Sequence, residues 1–153
     1  MLKAGFIGFG RMGITHLSIL NSHQNVKVTS ICDQSSTILK ILKNYMDVET
    51  FSDYRELIDW NSTDFVVIST PSNSHSEIIN YAIVKGKHIF TEKPFAMTMA
   101  EGQNTLDLLK GRKLVNQVGY VNRFNEVFCE VKKLISDGII GEVKNFSSEM
   151  YGP

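Results

Sequence analysis

The 153-residue sequence has few of the residues from which metal sites, disulfide frameworks and membrane spans are built. Its two cysteines, Cys32 and Cys129, lie in apolar surroundings and outside any Cys-x-x-Cys or Cys/His cluster. We therefore expect two reduced, buried thiols and no metal site. No apolar run approaches the roughly 18 residues that a membrane-spanning helix needs. The short apolar start leads into glycines, unlike a secretory signal, so we expect a cytoplasmic protein.

Excess charge of either sign is also missing. Sixteen basic and sixteen acidic side chains give a formal net charge of zero, and no long basic run occurs. The sequence therefore offers no electrostatic surface for nucleic acid or for an anionic membrane. Its content of 42% hydrophobic and 21% charged residues is ordinary for a globular protein. A chain of this length suits one domain, or one domain and the start of another.

What the sequence does contain is a regular alternation of β-rich apolar runs with amphipathic helical runs. Strands are predicted at residues 2–8, 26–32, 49–51, 65–68, 88–91 and 114–120. Helices are predicted between them, beginning near residues 11, 36, 53, 74 and 98, with a further helix that Gly138 ends. This alternation predicts an α/β fold, a doubly wound parallel sheet of the Rossmann type.

Local signals add detail to this prediction. Three capping boxes are expected, at Asp53–Glu56, Ser74–Glu77 and Thr98–Glu101, and Ser35 or Ser36 can cap the second helix. The first helix has apolar residues at helical spacing, namely Ile14, Leu17 and Leu20. The apolar face of the second helix is predicted to contain Ile38, Leu39, Ile41, Leu42 and Tyr45. Residues 142–151 resemble a strand that begins a new unit. We therefore expect a dinucleotide-binding domain at 1–123 and, at 124–153, a crossover helix and the start of a truncated substrate domain.

The run Gly8-Phe9-Gly10-Arg11-Met12-Gly13 fits the pattern G-x-G-x-x-G between a predicted strand and a predicted helix. Gly8 allows a tight turn, Gly10 allows close approach of a pyrophosphate, and Gly13 allows the helix to pack on the strand. Asp33 ends the second strand twenty residues after Gly13, the spacing of an acid that binds the adenosine ribose. A carboxylate there repels a 2′-phosphate, which favours NAD over NADP. The alternative is a simple turn residue at a strand end.

Four ordered segments together resemble the Gfo/Idh/MocA family (glucose–fructose oxidoreductase, inositol dehydrogenase and rhizopine catabolism). They are GFIGFGRMG at 5–13, STPSNSH at 69–75, TEKP at 91–94 and GYVNRFN at 119–125. The resemblance extends over essentially the whole chain and implies a bound NAD. It also implies the cofactor-binding residues, which are Gly8, Phe9, Gly10, Arg11, Met12, Gly13, Asp33, Thr70, Pro71, Asn73, His75, Glu92, Lys93 and Arg123.

The resemblance also implies that Lys93 is the catalytic lysine, which hydrogen-bonds the reacting hydroxyl. Lysine suits this role because it is a compact donor whose pKa falls readily when it is desolvated or placed near another cation. Each assignment has a plainer alternative: a surface lysine for Lys93, a polar first-turn residue for His75 and a surface arginine for Arg123. His16 is expected to pack or cap. Members of the family tend to have a cis bond before the proline at position 94.

These observations predict the amino-terminal half of an NAD-dependent oxidoreductase that acts on a secondary hydroxyl or keto group of a sugar, cyclitol or nucleotide sugar. In the family, a second domain follows and supplies a further acid–base pair, commonly an aspartate and a histidine. Without it, we expect the chain to bind NAD but to be inactive, and to form a homo-oligomer. A β-hydroxyacid dehydrogenase is a rival enzyme, which the Glu-Lys-Pro segment disfavours. A sensor that binds the dinucleotide without catalysis is the rival of another class, which an intact Lys93 disfavours.

Overall fold

The computed structural model describes residues 1–60 and 62–149. The chain divides into two compact units, residues 1–119 and residues 120–153. Within the described residues, no helix is long and apolar enough to cross a membrane.

The first unit is built on one six-stranded sheet in which every neighbouring pair is parallel. The strands are β1 (Leu2–Ile7), β2 (Val26–Cys32), β3 (Glu49–Phe51), β4 (Phe65–Ile68), β5 (His88–Thr91) and β6 (Asn116–Val118). Their order across the sheet is β3-β2-β1-β4-β5-β6. This order confirms the predicted doubly wound sheet, with the reversal of strand order between β1 and β4. The last strand is shorter than predicted, because only residues 116–118 pair with β5.

Helices connect successive strands as the sequence predicts. They are α1 (Arg11–Asn21), α2 (Ser36–Tyr45), α3 (Tyr54–Asp59), α4 (His75–Val84), α5 (Met99–Leu109) and, in the second unit, α6 (Glu126–Ser136). Short 3-10 helices occupy Ser72–Ser74 and Val121–Phe124. The peptide bond between Lys93 and Pro94 is cis, as expected.

Side chains that alternate along the strands divide the core between the two faces of the sheet. Ile7, Val66 and Ile68 pack with the apolar faces of α3 and α4. Phe6, Ile31 and Val67 point to the other face and pack with residues of α1 and α2. Because both faces are covered, the central strand β4 is apolar throughout, as its sequence indicated.

The three predicted capping boxes have different outcomes. The hydroxyl of Thr98 accepts a hydrogen bond from the Glu101 N–H at 3.2 Å, which confirms that cap. Asp53 does cap α3, but it bonds to the N–H of Arg55. Ser74 makes no cap bond to α4, so this prediction was wrong. The 3-10 helix that precedes α4 holds Ser74 in helical dihedrals, and its hydroxyl bonds backward to the Pro71 carbonyl oxygen.

Several predicted core positions proved to be exposed. Ile41 and Tyr45 of α2 are 52% and 84% exposed, because Leu42 is the residue of this helix that faces the sheet and is buried. Ile14 in the first turns of α1 is also half exposed. Cys32 is buried as predicted, but Cys129 is exposed. It lies in the second unit, whose described residues form one helix and one 3-10 turn, and these offer little to bury it.

The second unit begins with the 3-10 turn, after which the Asn125 side chain caps α6 by accepting the Val127 N–H. The helix ends before Gly138, which has φ = 71°, as the sequence predicted. Residues 142–149 form no strand, contrary to expectation, because no segment of the described chain pairs with them. A strand requires the hydrogen bonds of a neighbour. The end of that prediction, residues 150 and 151, lies outside the described residues.

Candidate cofactor and active site

The segments that carry the sequence motifs meet at the carboxyl edge of the sheet. The parallel hydrogen-bond ladder continues one residue beyond these strands, so the first loop residues stay in register. The donors are the N–H groups of Gly8, Ser69, Glu92 and Gly119, which bond the neighbouring strand's carbonyl oxygens at 2.8–2.9 Å. Ligands of open parallel sheets bind at this edge, and at the reversal of strand order. The fold therefore assembles one site from motifs that are distant in sequence.

The glycine loop needs glycine at two positions for reasons of backbone geometry. Gly8 has φ = 88°, and a Cβ atom there would lie 2.7 Å from the backbone nitrogen of Thr70. A Cβ on Gly13 would lie 2.3 Å from the carbonyl oxygen of Gly8. Any side chain at position 13 would therefore force α1 away from β1. Both glycines set how closely the helix start approaches the sheet.

Gly10 differs, because a Cβ there would meet nothing within 4 Å. Gly10 is the N-cap of α1, where no side chain caps the helix and no acidic residue occupies the first turn. The first N–H groups of a helix need acceptors from outside the helix, and they favour anions. The open space beside Gly10 and the uncapped start of α1 therefore fit a pyrophosphate.

Asp33 lies directly beside this loop. Its Oδ2 accepts the N–H of Phe9 at 2.7 Å, and its Oδ1 accepts the N–H of Ser35 at 2.8 Å. Each carboxylate oxygen has a further lone pair, so Asp33 can also accept hydrogen bonds from two ligand hydroxyls. The Phe9 side chain is only 8% exposed and packs in the core, so Phe9 offers the site its backbone alone.

The Glu92 side chain is held in place by contacts with three other residues of the site. Its Oε1 lies 2.7 Å from the Nε2 atom of His16, and its Oε2 accepts the Lys93 N–H at 3.3 Å. The side chain packs against Gly119, where an added Cβ would lie 3.1 Å from Oε1. The His16 ring in turn packs edge-on against Phe90, with ring centroids 4.9 Å apart. Sequence reasoning gave His16 a packing role and did not foresee its bond to Glu92. The one sequence feature that pointed to this arrangement was Gly119, which opens the GYVNRFN segment and leaves the space that the Glu92 carboxylate occupies.

Lys93 follows Glu92 and is exposed. Within the described parts of the chain, no hydrogen bond or ion pair engages its ammonium group. Lysine ammonium groups carry three donors, so this one is available to a ligand at the same edge.

The loop between β4 and α4 lies beside the glycine loop. Ser69 donates its hydroxyl hydrogen to the carbonyl oxygen of Gly8 at 2.7 Å, which ties the two loops together. Thr70 is half-buried and accepts from the Ser74 hydroxyl at 2.8 Å. Pro71 and Asn73 are exposed at the edge of the sheet. Arg11 and Met12 are likewise exposed at the start of α1.

His75 occupies a different kind of position from the other expected cofactor-binding residues. It is 1% exposed, with Nδ1 2.8 Å from the carbonyl oxygen of Pro94 and Nε2 2.9 Å from that of Thr70. Both ring nitrogens are thus occupied by the protein itself. Arg123 belongs to the second unit, where it lies in the 3-10 turn Val121–Phe124.

Comparisons with known proteins agree with this architecture. The profile described as "Oxidoreductase family, NAD-binding Rossmann fold" (Gfo/Idh/MocA) matches residues 2–120. Inositol 2-dehydrogenase of Pseudomonas fluorescens is 36% identical over 150 residues, which is 92% of this chain and 43% of that protein. Its counterpart in Salmonella typhimurium is 30% identical over 145 residues, again with 92% and 43% covered.

Solved structures give the same result. The scyllo-inositol dehydrogenase of Lactobacillus casei, in a crystal structure with bound cofactor NAD(H) and scyllo-inositol, superimposes with a TM-score of 0.86 at 28% identity. That match covers 93% of this chain and 43% of the solved one. The chain therefore spans less than half the length of the relatives that it matches.

Proposed function

Because the chain belongs to the Gfo/Idh/MocA oxidoreductase family and has its NAD-binding Rossmann fold, we propose that the protein is an NAD-dependent dehydrogenase of polyols. Its substrate is a cyclitol, or a sugar of similar size, that presents a secondary hydroxyl group. The observation that carries this proposal is the convergence of an open helix start, the Asp33 carboxylate and the exposed Lys93 ammonium at one edge of the sheet. The named activities of the relatives favour a cyclitol within this class.

The residues of the first unit divide the binding of the dinucleotide among them. The backbone of the glycine loop, from Gly8 to Gly13, holds the pyrophosphate, with Arg11 and Met12 at the open side. Asp33 accepts hydrogen bonds from the adenosine ribose, and Thr70, Pro71 and Asn73 line the path along the sheet edge. Glu92 contacts the nicotinamide end. When bound, NAD supplies the acceptor or donor of a hydride.

Lys93 provides the acid–base group of the first unit. Its side-chain nitrogen hydrogen-bonds the substrate oxygen: as the neutral amine it accepts the proton that leaves the hydroxyl during oxidation, and as the ammonium it returns that proton during reduction. Its exposed position before Pro94 leaves the ammonium free to reach a substrate above the sheet edge. Arg123, which matches an arginine of the family, is a further candidate for the cofactor-binding set. Residues 124–153 form the crossover helix and the start of the substrate domain, which supplies the remaining walls of the pocket.

The experiment that tests this function is a survey of polyols with the complete gene product. Inositol isomers and common sugars are each incubated with NAD or NADP, and NADH or NADPH formation is followed by absorbance. We expect turnover of at least one cyclitol, with NAD preferred. Tight NAD binding without turnover of any polyol would contradict the proposal and would instead support a sensor.

A further inference from the structure

His75 joins two loops that the sheet no longer holds together. The hydrogen-bond ladder between β4 and β5 ends with the N–H of Glu92 and the carbonyl oxygen of Ile68. Beyond that point, one loop turns into the 3-10 helix Ser72–Ser74, and the other passes through Lys93 and Pro94. In the described chain, the hydrogen bonds that join residues 69–74 and 93–94 run through the His75 ring alone.

The chemistry of this contact is specific to an imidazole ring. Thr70 and Pro94 both present carbonyl oxygens, at 2.9 and 2.8 Å from the two ring nitrogens. Both partners are acceptors, so the ring bonds both of them at once only when both ring nitrogens carry a hydrogen, and a rigid ring bonded in this way fixes their separation. The His75 side chain is almost fully buried, and Thr70 and Pro94 are half-buried, so water only partly compensates a carbonyl oxygen that loses the ring as its partner.

We propose that His75 is a positioning residue for the nicotinamide end of the cofactor site. Its ring sets the distance between the loop that carries Thr70 to Asn73 and the loop that carries Glu92 and Lys93. It acts through these loops, because neither ring nitrogen is left for a ligand. This inference rests on the proposed dinucleotide site and adds to it the residue that holds two of its parts in register.

The adenosine end of the site does not depend on this contact. Asp33 is held by the N–H groups of Phe9 and Ser35, and the glycine loop is held by its own turn and by Ser69. Loss of the His75 bridge therefore weakens a ligand that spans the whole edge more than a ligand that ends at the pyrophosphate. NADH and ADP are two such ligands.

The test compares the His75→Phe variant of the 153-residue chain with the unmodified chain. Phenylalanine keeps the ring volume but has no polar nitrogen. NADH affinity is measured by fluorescence titration and ADP affinity by calorimetry. We expect about a tenfold loss for NADH, corresponding to one or two buried hydrogen bonds. For ADP we expect a change of less than about twofold, because its contacts are separate.

Two further variants make the result decisive. His88→Phe is the matched control, because the His88 ring also bonds backbone, accepting the Val115 N–H at 2.9 Å, but at the opposite edge of the sheet. It should leave both affinities unchanged. His75→Gln, which keeps an amide donor in the gap, should lie between the unmodified chain and His75→Phe for NADH.

Equal losses of NADH and ADP affinity in both His75 variants, or full NADH affinity in both, would overturn the positioning role. An unmodified chain that binds neither ligand would instead overturn the proposed function. The two failures are therefore distinguishable within one set of titrations.

Discussion

The Asp33 carboxylate is oriented by hydrogen bonds from backbone N–H groups. The N–H groups of Phe9 and Ser35 fix its carboxylate beside the glycine loop, so its orientation does not depend on a ligand. We propose that a carboxylate held in this way accepts hydrogen bonds from two ribose hydroxyls and repels a phosphate in the same place. We therefore expect this one side chain to govern the choice between NAD and NADP.

Replacing Asp33 by Ser should narrow the preference for NAD over NADP. The change removes the hydrogen bonds to the ribose and relieves the repulsion of the 2′-phosphate, together worth about 1–3 kcal/mol. Calorimetric titration with both dinucleotides measures the difference. Asp47→Ser is the control, because the Asp47 side chain is fully exposed beside Lys27 and should not affect either affinity. Equal affinities for NAD and NADP in the unmodified chain would contradict the role of Asp33.

The two cysteines should react very differently with thiol reagents. Burial, and then the nearby carboxylates led by Asp33, raise the pKa of the Cys32 thiol to about 12. This thiol therefore stays protonated at neutral pH, and the reactive thiolate is scarce. Cys129 is exposed. A colorimetric thiol assay should detect one reactive group in the native chain, none in Cys129→Ser, and Cys32 only after denaturation. Rapid labelling of Cys32 in the native chain would contradict its buried position.

Lys93 should affect catalysis far more than cofactor binding. In the complete gene product, Lys93→Ala should lower turnover by about 10²–10⁴, the usual contribution of a positioned acid or base. NAD affinity should change much less, because the pyrophosphate and adenosine contacts lie elsewhere. Steady-state kinetics on the best polyol and NADH titration measure the two effects. Near-normal turnover in the variant would return Lys93 to the role of a surface lysine.

The start of helix α1 contains two glycines, Gly10 and Gly13, that differ in their surroundings. Gly13 allows the helix to touch β1, and Gly10 leaves space at the helix start. The motif predicted that Gly13 packs the helix on the strand and that Gly10 admits a pyrophosphate. The distances confirm the packing role of Gly13, and the role of Gly10 stays a prediction that the open space there fits.

Alanine at these two positions should therefore give opposite results. Gly13→Ala pushes a methyl group against the Gly8 carbonyl oxygen and should destabilise the fold by about 1–3 kcal/mol, as overpacking does. Gly10→Ala meets no protein atom, so the unfolding temperature should change little, but the methyl group should weaken NADH binding. Thermal unfolding and fluorescence titration of both variants test this pair. A Gly10→Ala chain with unchanged NADH affinity would show that the pyrophosphate lies elsewhere.

The elements were predictable where local sequence decides them. Strands β2 to β5 have the bounds predicted from the sequence. β4 shows the reason most plainly, because a strand covered on both faces is apolar along its length. The cap at Ser74 failed because the 3-10 helix before α4 turned its hydroxyl away. The strand predicted at 142–151 failed within the described residues, since pairing depends on a partner that the local sequence does not specify.

Across the whole molecule, the sequence predicted which edge of the sheet carries the site but not how its side chains hold each other. The bonds from His16 to Glu92 and from His75 to Pro94 join residues 76 and 19 positions apart. No local pattern encodes such contacts, because they arise only when separate crossovers come together. The parallel, doubly wound character of the sheet, in contrast, follows from the alternation of strands and helices.

The 153-residue chain should bind NADH but oxidise no polyol. All the proposed cofactor contacts except that of Arg123 lie in the first unit, whereas the relatives are more than twice as long. Hydride transfer needs the substrate carbon held about 3–3.5 Å from the nicotinamide, and the chain covers only 43% of proteins that do this work. Fluorescence titration and a polyol assay test the two statements. Efficient turnover by this chain would refute the need for a substrate domain.

The arrangement of the sheet also has a practical consequence for attaching the protein to surfaces. The site lies at the carboxyl edge, whereas Gln24 is exposed in the turn that enters β2 at the opposite edge. A Gln24→Cys chain with Cys129→Ser would carry one reactive thiol, since Cys32 is buried. Coupled to gold or maleimide beads through that thiol, every molecule would face the solution with its dinucleotide site outward. Such an oriented layer should capture NADH at close to one molecule per protein, which randomly coupled lysines would not achieve.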